Sequence, residues 1–372
     1  MKIAIVCYPT FGGSGVVATE LGISLSKRGH EIHFVTYKQP VRLEYLSNNI
    51  QYHEVLVPEY PLFHYQPYEL ALSSKLVTVV KNHKIDVLHV HYAIPHAYAG
   101  FMAQQMLAED GISLPMMTTL HGTDITLVGS HSFYKPAVNF SINKSDVVTS
   151  VSESLKKDTL DIFDIKKDIK VVPNFIDISN LNDSFENCQR ELFAHEDEKV
   201  ITHVSNLRQV KRIDHVIQIF HKIQSQIKSK LIIIGDGPER EMASNLAREL
   251  GIRDKVMFLG KSNEVEKILC YSDLFLLPSE KESFGLAALE AMAHRVPVIS
   301  TNAGGLSEVN IDGVSGYLSN VGDADGMALN GIKILSNENT LEQFKKGARS
   351  TAEKFDVKAI VSQYEDLYKQ MI

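Results

Sequence analysis

Cysteine is scarce in this chain, and so is concentrated charge. Only three cysteines occur in 372 residues: Cys7, Cys188 and Cys270. The odd count argues against a disulfide framework, and no pair is spaced as a zinc knuckle or a redox motif. No segment is strongly basic and the formal net charge is −7, which sets general nucleic-acid binding aside. The pairs Lys156-Lys157 and Lys345-Lys346 read as solvated helix faces. No apolar run is long enough to span a bilayer. The opening Met1-Lys2-Ile3-Ala4-Ile5-Val6-Cys7 is too short for a signal sequence and reads as a first strand. Short repeats and low-complexity tracts are absent. What remains is an ordinary globular composition, 44% hydrophobic and 22% charged. A cytoplasmic enzyme is the default expectation, and the length suits two domains better than one.

What is present is an alternation of short apolar runs and helical patterns. Strands are expected at residues 3–8, 32–37, 87–90, 116–121 and 146–150, with helices between them, among them 16–28 and 70–83. The pattern restarts at 199–204 and continues through 230–234, 255–259, 273–277 and 296–300. Such alternation predicts parallel sheets. The stretch 171–177, with the polar residues to about 198, reads as a connector. The expectation is an α/β chain of two Rossmann-like domains facing a cleft, residues 1–172 and 173–356.

The densest chemistry lies between two of these strands, in Ser279-Glu280-Lys281-Glu282-Ser283-Phe284-Gly285, followed by the helical run from Leu286 to Ala293. The loop sits at a strand's carboxyl end, where open α/β sheets bind ligands. Glu282 precedes the helix and Glu290 lies inside it, with seven residues between them. The residues Ser283 to Gly285 offer backbone N–H groups at a helix start, a seat for phosphate. Carboxylates accept hydroxyl hydrogens, so a polyhydroxyl ligand carrying a diphosphate would use both features. The plainer alternative makes Glu282 a capping acid and Glu290 a solvated surface residue.

Other strand ends carry further candidates. Gly12-Gly13-Ser14-Gly15 follows the first strand and opens a helix, but the spacing fails Gly-x-Gly-x-x-Gly, and Val17 stands among the following positions. A nicotinamide cofactor is therefore not expected. Gly235-Asp236-Gly237-Pro238 is a strand-to-helix turn with proline near the first helical position. Arg208 and Lys211, after the first strand of the second domain, are close enough in sequence to converge on one anion. His89 and His91 share a strand face, but no carboxylate or thiol nearby completes a shell, so no metal is expected there. Asp323-Ala324-Asp325 precedes a helix and reads as a cap.

The segment 279–293, with Ala303-Gly304-Gly305-Leu306-Ser307-Glu308-Val309 and Asp312-Gly313-Val314-Ser315-Gly316-Tyr317-Leu318, resembles the family-4 retaining glycosyltransferases. Leu306-Ser307 stands where Ile-Pro or Val-Pro is more usual. The resemblance implies the GT-B architecture, with the last helix, about 357–372, returning to the first domain. That domain is implied to bind the acceptor, and the second the UDP-sugar. Glu282, Lys211, Arg208 and His121 are the implied catalytic set, with Arg208 two positions from the family's common arginine. Glu290, Ser283, Phe284, Gly285, Gly235 and Lys261 are implied donor contacts. Gly13, Ser14, Tyr92, Thr119 and Asn206 are implied acceptor contacts. The segments Tyr8 to Gly15, His89 to His96, His121 to Asp124 and Ser205 to Arg212 narrow the resemblance to members that serve bacillithiol biosynthesis. These join N-acetylglucosamine from UDP-N-acetylglucosamine to L-malate, without a metal. Front-face departure of UDP is the implied mechanism. Neither nucleic acid nor stable membrane insertion is expected, and a homo-oligomer stays open. Another acceptor, such as a polysaccharide or an inositol phosphate, a UDP-sugar epimerase, and a non-catalytic nucleotide-sugar sensor are the competing readings.

Overall fold

The computed structural model describes residues 1–10, 12–43, 49–57, 66–179, 181, 190, 194–262 and 264–372. Phe11 and Cys188, and part of the polar connector after residue 177, lie outside the described residues. The chain divides into two compact units, Met1–Asn174 with Val357–Ile372, and Phe175–Asp356.

The first unit holds β1 (Lys2–Val6), β2 (Glu31–Thr36), β3 (Ile50–Glu54), β4 (Val87–His91), β5 (Met116–Leu120), β6 (Val147–Ser150) and β7 (Ile169–Val171). Their order in the sheet is β3-β2-β1-β4-β5-β6-β7, and every pairing is parallel. The second unit holds β8 (Lys199–Val204), β9 (Ser229–Ile234), β10 (Val256–Gly260), β11 (Leu274–Leu277), β12 (Val298–Thr301) and β13 (Gly316–Ser319). Its order is β10-β9-β8-β11-β12-β13, again all parallel. Both are Rossmann-like sheets of the same winding.

The central strands are continuous apolar runs because helices cover both of their faces. Ile3, Ile5 and Val6 are wholly buried, as are Leu274, Phe275 and Leu276. The helix Ile213–Gln224 shows how a covering element is specified. Ile213, Val216, Ile217, Phe220 and Ile223 fall on one stripe and pack with Met327, Ala328 and Ile334 of the helix Ala324–Leu335. Burying a side chain such as Phe220 stabilises by about 1.5–3 kcal/mol.

The helix Val357–Lys369 belongs to the first unit although it ends the chain. Arg28 Nη1 meets Glu365 Oε2 at 2.7 Å, and its Nη2 donates to the Lys358 carbonyl at 2.6 Å. Tyr364 and Tyr368 are buried on the sheet. Cys7 is a buried free thiol whose pKa burial pushes up to about 12. Among the described residues no helix is long and apolar enough to cross a membrane.

Strand order reverses once in each unit, between β1 and β4 and between β8 and β11. The carboxyl ends flanking such a reversal open a crevice for ligands. The loops that leave those four strands carry most of the candidate residues.

Candidate active site

In the second unit the loop after β8 meets the loop after β11. The Glu280 amide donates to the Val210 carbonyl at 2.8 Å. Lys211 Nζ pairs with Glu282 Oε1, and the Ser279 hydroxyl donates to the same oxygen at 3.3 Å. Glu282 Oε2 has no partner among the described residues. Arg212 is consumed by structure. Its guanidinium grips Asp214 with two nitrogens, at 3.0 and 2.8 Å, and reaches Glu280 at 2.7 Å. Arg208, by contrast, is exposed, and its side chain has no hydrogen-bond or ion-pair partner among the described residues. Three neighbouring cations are thus sorted into one committed, one shared with Glu282 and one open.

Beneath them, His203 Nδ1 donates to the Leu276 carbonyl at 2.8 Å, which leaves Nε2 to accept from the Ser205 hydroxyl at 2.7 Å. Burial pushes this imidazole down to about 4, so it is neutral and fixes the start of the β8 loop. Gly235 sits at φ +121°, and a Cβ there would lie 1.8 Å from the Ser205 carbonyl oxygen. Its part is to let the β9 turn pass against that loop. Asn206 and Lys261 are exposed, Asn206 on the loop of Arg208 and Lys211, and Lys261 just after β10.

The helix expected near Gly285 runs from Leu286 to Ala293, with Gly285 at φ +97° before it and no side-chain cap. Phe284 is buried against Phe355, with ring centroids 5.6 Å apart, so its side chain is spent on packing. Ser283 and Glu290 are half-buried. The Gly304-Gly305 pair explains itself here. A Cβ on Gly304 would fall 2.0 Å from the Glu282 carbonyl oxygen, and one on Gly305 2.4 Å from that of Ser283. The Gly305 amide donates to the Glu282 carbonyl at 2.9 Å, clamping the acidic loop.

In the first unit the loop after β1 opens the helix Gly13–Lys27, which also lacks a side-chain cap. A Cβ on Gly15 would strike the carbonyl oxygens of Thr10 and Tyr8, at 2.4 and 2.5 Å, so only glycine fits there. The amides of Gly13 and Ser14 have no partner among the described residues. Ser14 Oγ and Tyr92 Oη lie 2.6 Å apart. Tyr92 follows β4 at φ +87°, an unusual conformation for a residue with a side chain.

A set of neutral histidines underlies these groups. His91 Nδ1 meets His121 Nε2 at 2.8 Å, and the His121 ring lies 5.2 Å from that of Tyr92. Burial drives His91 well below the ordinary histidine range and His121 down to about 3. His96 donates from Nδ1 to the His91 carbonyl at 2.6 Å. The Nε2 atoms of His91 and His96 are buried without a partner among the described residues. Thr119 is placed otherwise than expected. It is wholly buried, and its hydroxyl is shared between His89 Nε2 and Thr149 Oγ1, both at 2.7 Å. It braces the layer below the site instead of facing a ligand, because its side chain points to the sheet face that the last helix covers. His89 Nδ1 in turn meets Tyr368 Oη of that helix at 2.7 Å.

Asp124 has no place among the sequence candidates. Its carboxylate accepts from the amides of Ala93 (2.9 Å), Gly122 (3.0 Å) and His121 (3.2 Å), joining the ends of β4 and β5. Burial raises its pKa to about 6 against the pull of those amides. The signal available in the sequence was its position three residues after a strand-end histidine, in His121-Gly122-Thr123-Asp124. Asp323 accepts from the Gly326 amide at 2.8 Å, the expected cap, and Asp325 pairs with Lys222.

Family models agree with this anatomy. One described as Glycosyltransferase Family 4 matches residues 11–180, and one described as Glycosyl transferases group 1 matches residues 184–351. The chain is 47% identical to the N-acetyl-alpha-D-glucosaminyl L-malate synthase of Bacillus anthracis, over 100% of this chain and 97% of that one. It is 30% identical to an uncharacterised glycosyltransferase of Methanocaldococcus jannaschii, over 99% and 98%. A solved Anabaena structure in complex with UDP-glucose shares the fold, with a TM-score of 0.82, 20% identity and full coverage of both chains. Two Rossmann-like units with these matches make the chain a GT-B glycosyltransferase of family 4.

Proposed function

We propose that this enzyme transfers N-acetylglucosamine from UDP-N-acetylglucosamine to the hydroxyl of L-malate, with retention at the anomeric carbon and without a metal. The observation that carries the reading is the joined Lys211–Glu282 pair at the β8/β11 strand reversal. The donor and acceptor identities rest on full-length similarity to the Bacillus anthracis L-malate synthase.

The bond between the anomeric carbon and the UDP oxygen breaks as the bond to the malate oxygen forms. The malate hydroxyl proton passes to a β-phosphate oxygen, and UDP leaves. Charge separates toward the diphosphate, so fixed positive groups lower the barrier. Lys211, Arg208 and the uncapped helix start at Gly285 supply them. Glu282 Oε2 is free to accept sugar hydroxyls while Oε1 holds Lys211. Glu290 takes the ribose hydroxyls. On the acceptor side, the Gly13 and Ser14 amides favour a carboxylate, and Ser14 with Tyr92 offers hydroxyl donors.

The test is incubation with UDP-N-acetylglucosamine, with and without L-malate, followed by mass spectrometry. Malate-dependent formation of an N-acetylglucosaminyl malate is expected. UDP-N-acetylmannosamine without malate would make the enzyme an epimerase, and transfer only to a different acceptor would replace malate.

A further inference from the structure

Three histidines far apart in sequence converge in the first unit, and none belongs to the candidate active site. His33 lies on β2, His53 on β3, and His83 is the last residue of the helix Tyr68–His83. In the β2/β3 register His33 stands opposite Gln51, which puts His53 two residues on and on the same sheet face. The helix delivers His83 to that face. One ring nitrogen from each residue lies within 4.8 Å of the others. The ring centroids of His83 are 4.6 Å from His33 and 4.9 Å from His53.

We propose that His33, His53 and His83 form a binding site for one first-row transition-metal ion, with Zn²⁺ the best fit, that ties edge strand β3 to the helix Tyr68–His83. Imidazole nitrogens suit zinc, copper and nickel over the harder magnesium or calcium. Tetrahedral ligands about 2.0–2.1 Å from zinc stand roughly 3.3 Å apart. His33 Nδ1 and His53 Nε2 are 2.9 Å apart, so a small opening of the pair admits the ion. The support for His33 is already in place. Its Nε2 meets Glu31 Oε1 at 2.9 Å, which protonates that nitrogen and turns the Nδ1 lone pair toward the other rings. A carboxylate behind a ligating histidine is the usual outer partner of a metal site. Glu31 also meets Lys2 at 3.2 Å. His33 is wholly buried while His53 and His83 are half-buried, so the fourth position opens toward solvent. A site built this way fastens the sheet edge and takes no part in glycosyl transfer.

The experiment uses the full chain, stripped with EDTA, freed of chelator and titrated calorimetrically with ZnSO₄. One equivalent is expected to bind, and a hundredfold excess over Kd to raise Tm by about 5 °C. His53→Gln and His83→Gln should each weaken binding at least tenfold, and Glu31→Gln about 10-fold. CoCl₂ should give the visible absorption of a nitrogen-ligated ion in the unsubstituted protein, which frees the result from any folding defect of the variants. Transfer rates of stripped and loaded enzyme should agree within about twofold. Binding well below one equivalent, undiminished binding in the folded His53→Gln/His83→Gln double variant, or no cobalt spectrum would each overturn the site.

Discussion

The two strand reversals share a winding and differ in chemistry. At β8/β11 charge is plentiful: Arg208 is exposed, Lys211 is paired with Glu282, and Arg212 is locked by Asp214 and Glu280. At β1/β4 the lining is Ser14, Tyr92 and histidines held neutral by burial, with the Asp124 carboxylate turned into backbone amides. One topology thus presents a fixed ionic surface in one unit and a neutral hydrogen-bonding surface in the other. The first suits an anion whose charge grows during reaction. The second suits a ligand held by neutral hydrogen bonds, backbone amides and a helix start. A common fold sets where a ligand sits, and the side chains at the strand ends set which ligand.

The contrast breaks most sharply where charge is densest. Lys211→Ala should lower kcat about 100-fold or more, with Glu282→Ala comparable, and neither should move Tm by more than a few degrees. A Lys211→Ala effect confined to the KM for the UDP-sugar would reduce that lysine to ground-state binding. Near wild-type turnover by a folded Glu282→Ala protein would remove the donor assignment.

Next comes Asp124. Asp124→Asn sets an NH₂ against backbone N–H groups and should destabilise by about 1–3 kcal/mol, with a loss of kcat/KM for malate. The folded pKa, about 6, lies above the ordinary 3.8. The folded protein therefore holds this proton more tightly than the unfolded chain. The contribution is fully present below pH 3.8 and is lost as pH rises through 6. Urea titrations across that window should show the stability gap between wild type and Asp124→Asn changing by up to about 3 kcal/mol. A constant gap would show that Asp124 titrates normally.

A smaller effect sharpens the neutral side. Ser14→Ala should raise the KM for malate about 5- to 10-fold, one neutral hydrogen bond's worth, and leave that for UDP-N-acetylglucosamine unchanged. Equal rises in both would make Ser14 a structural residue. The smallest expected effect is none: if Lys211 and Arg208 supply the positive charge, transfer persists in EDTA. Loss on chelation, rescued by Mg²⁺ or Mn²⁺, would return Asp323 and Asp325 to consideration.

The central strands were legible because burial on both faces demands an unbroken apolar run. The strands that escaped sequence reading, β3, β7 and β13, all lie at sheet edges. β3 reads Ile-Gln-Tyr-His-Glu and is mostly half-buried, and β7 is three residues long. An edge strand needs neither apolar continuity nor length. In the site, Lys211, Glu282 and the glycine loop stood out by type and spacing. The shared strand face of His89 and His91 was legible too, and their rings stack at 4.4 Å. What spacing does not encode is pairing across the fold. That Arg212 is spent while Arg208 is open depends on Glu280, 68 residues away. That Thr119 braces the site follows from contacts with His89 and Thr149, each 30 residues distant.

The return of the helix Val357–Lys369 to the first unit has a consequence for biosynthesis. As the chain leaves the ribosome, the segment Phe175–Asp356 is complete in one stretch and can close on its own. The first unit, begun earlier, still lacks the tyrosine that meets His89 until residue 368 emerges. A nascent chain stopped before Val357 therefore carries all of the second unit and a first unit without the tyrosine that meets His89. The unit whose strands are made first is thus completed only after the whole of the other has been made.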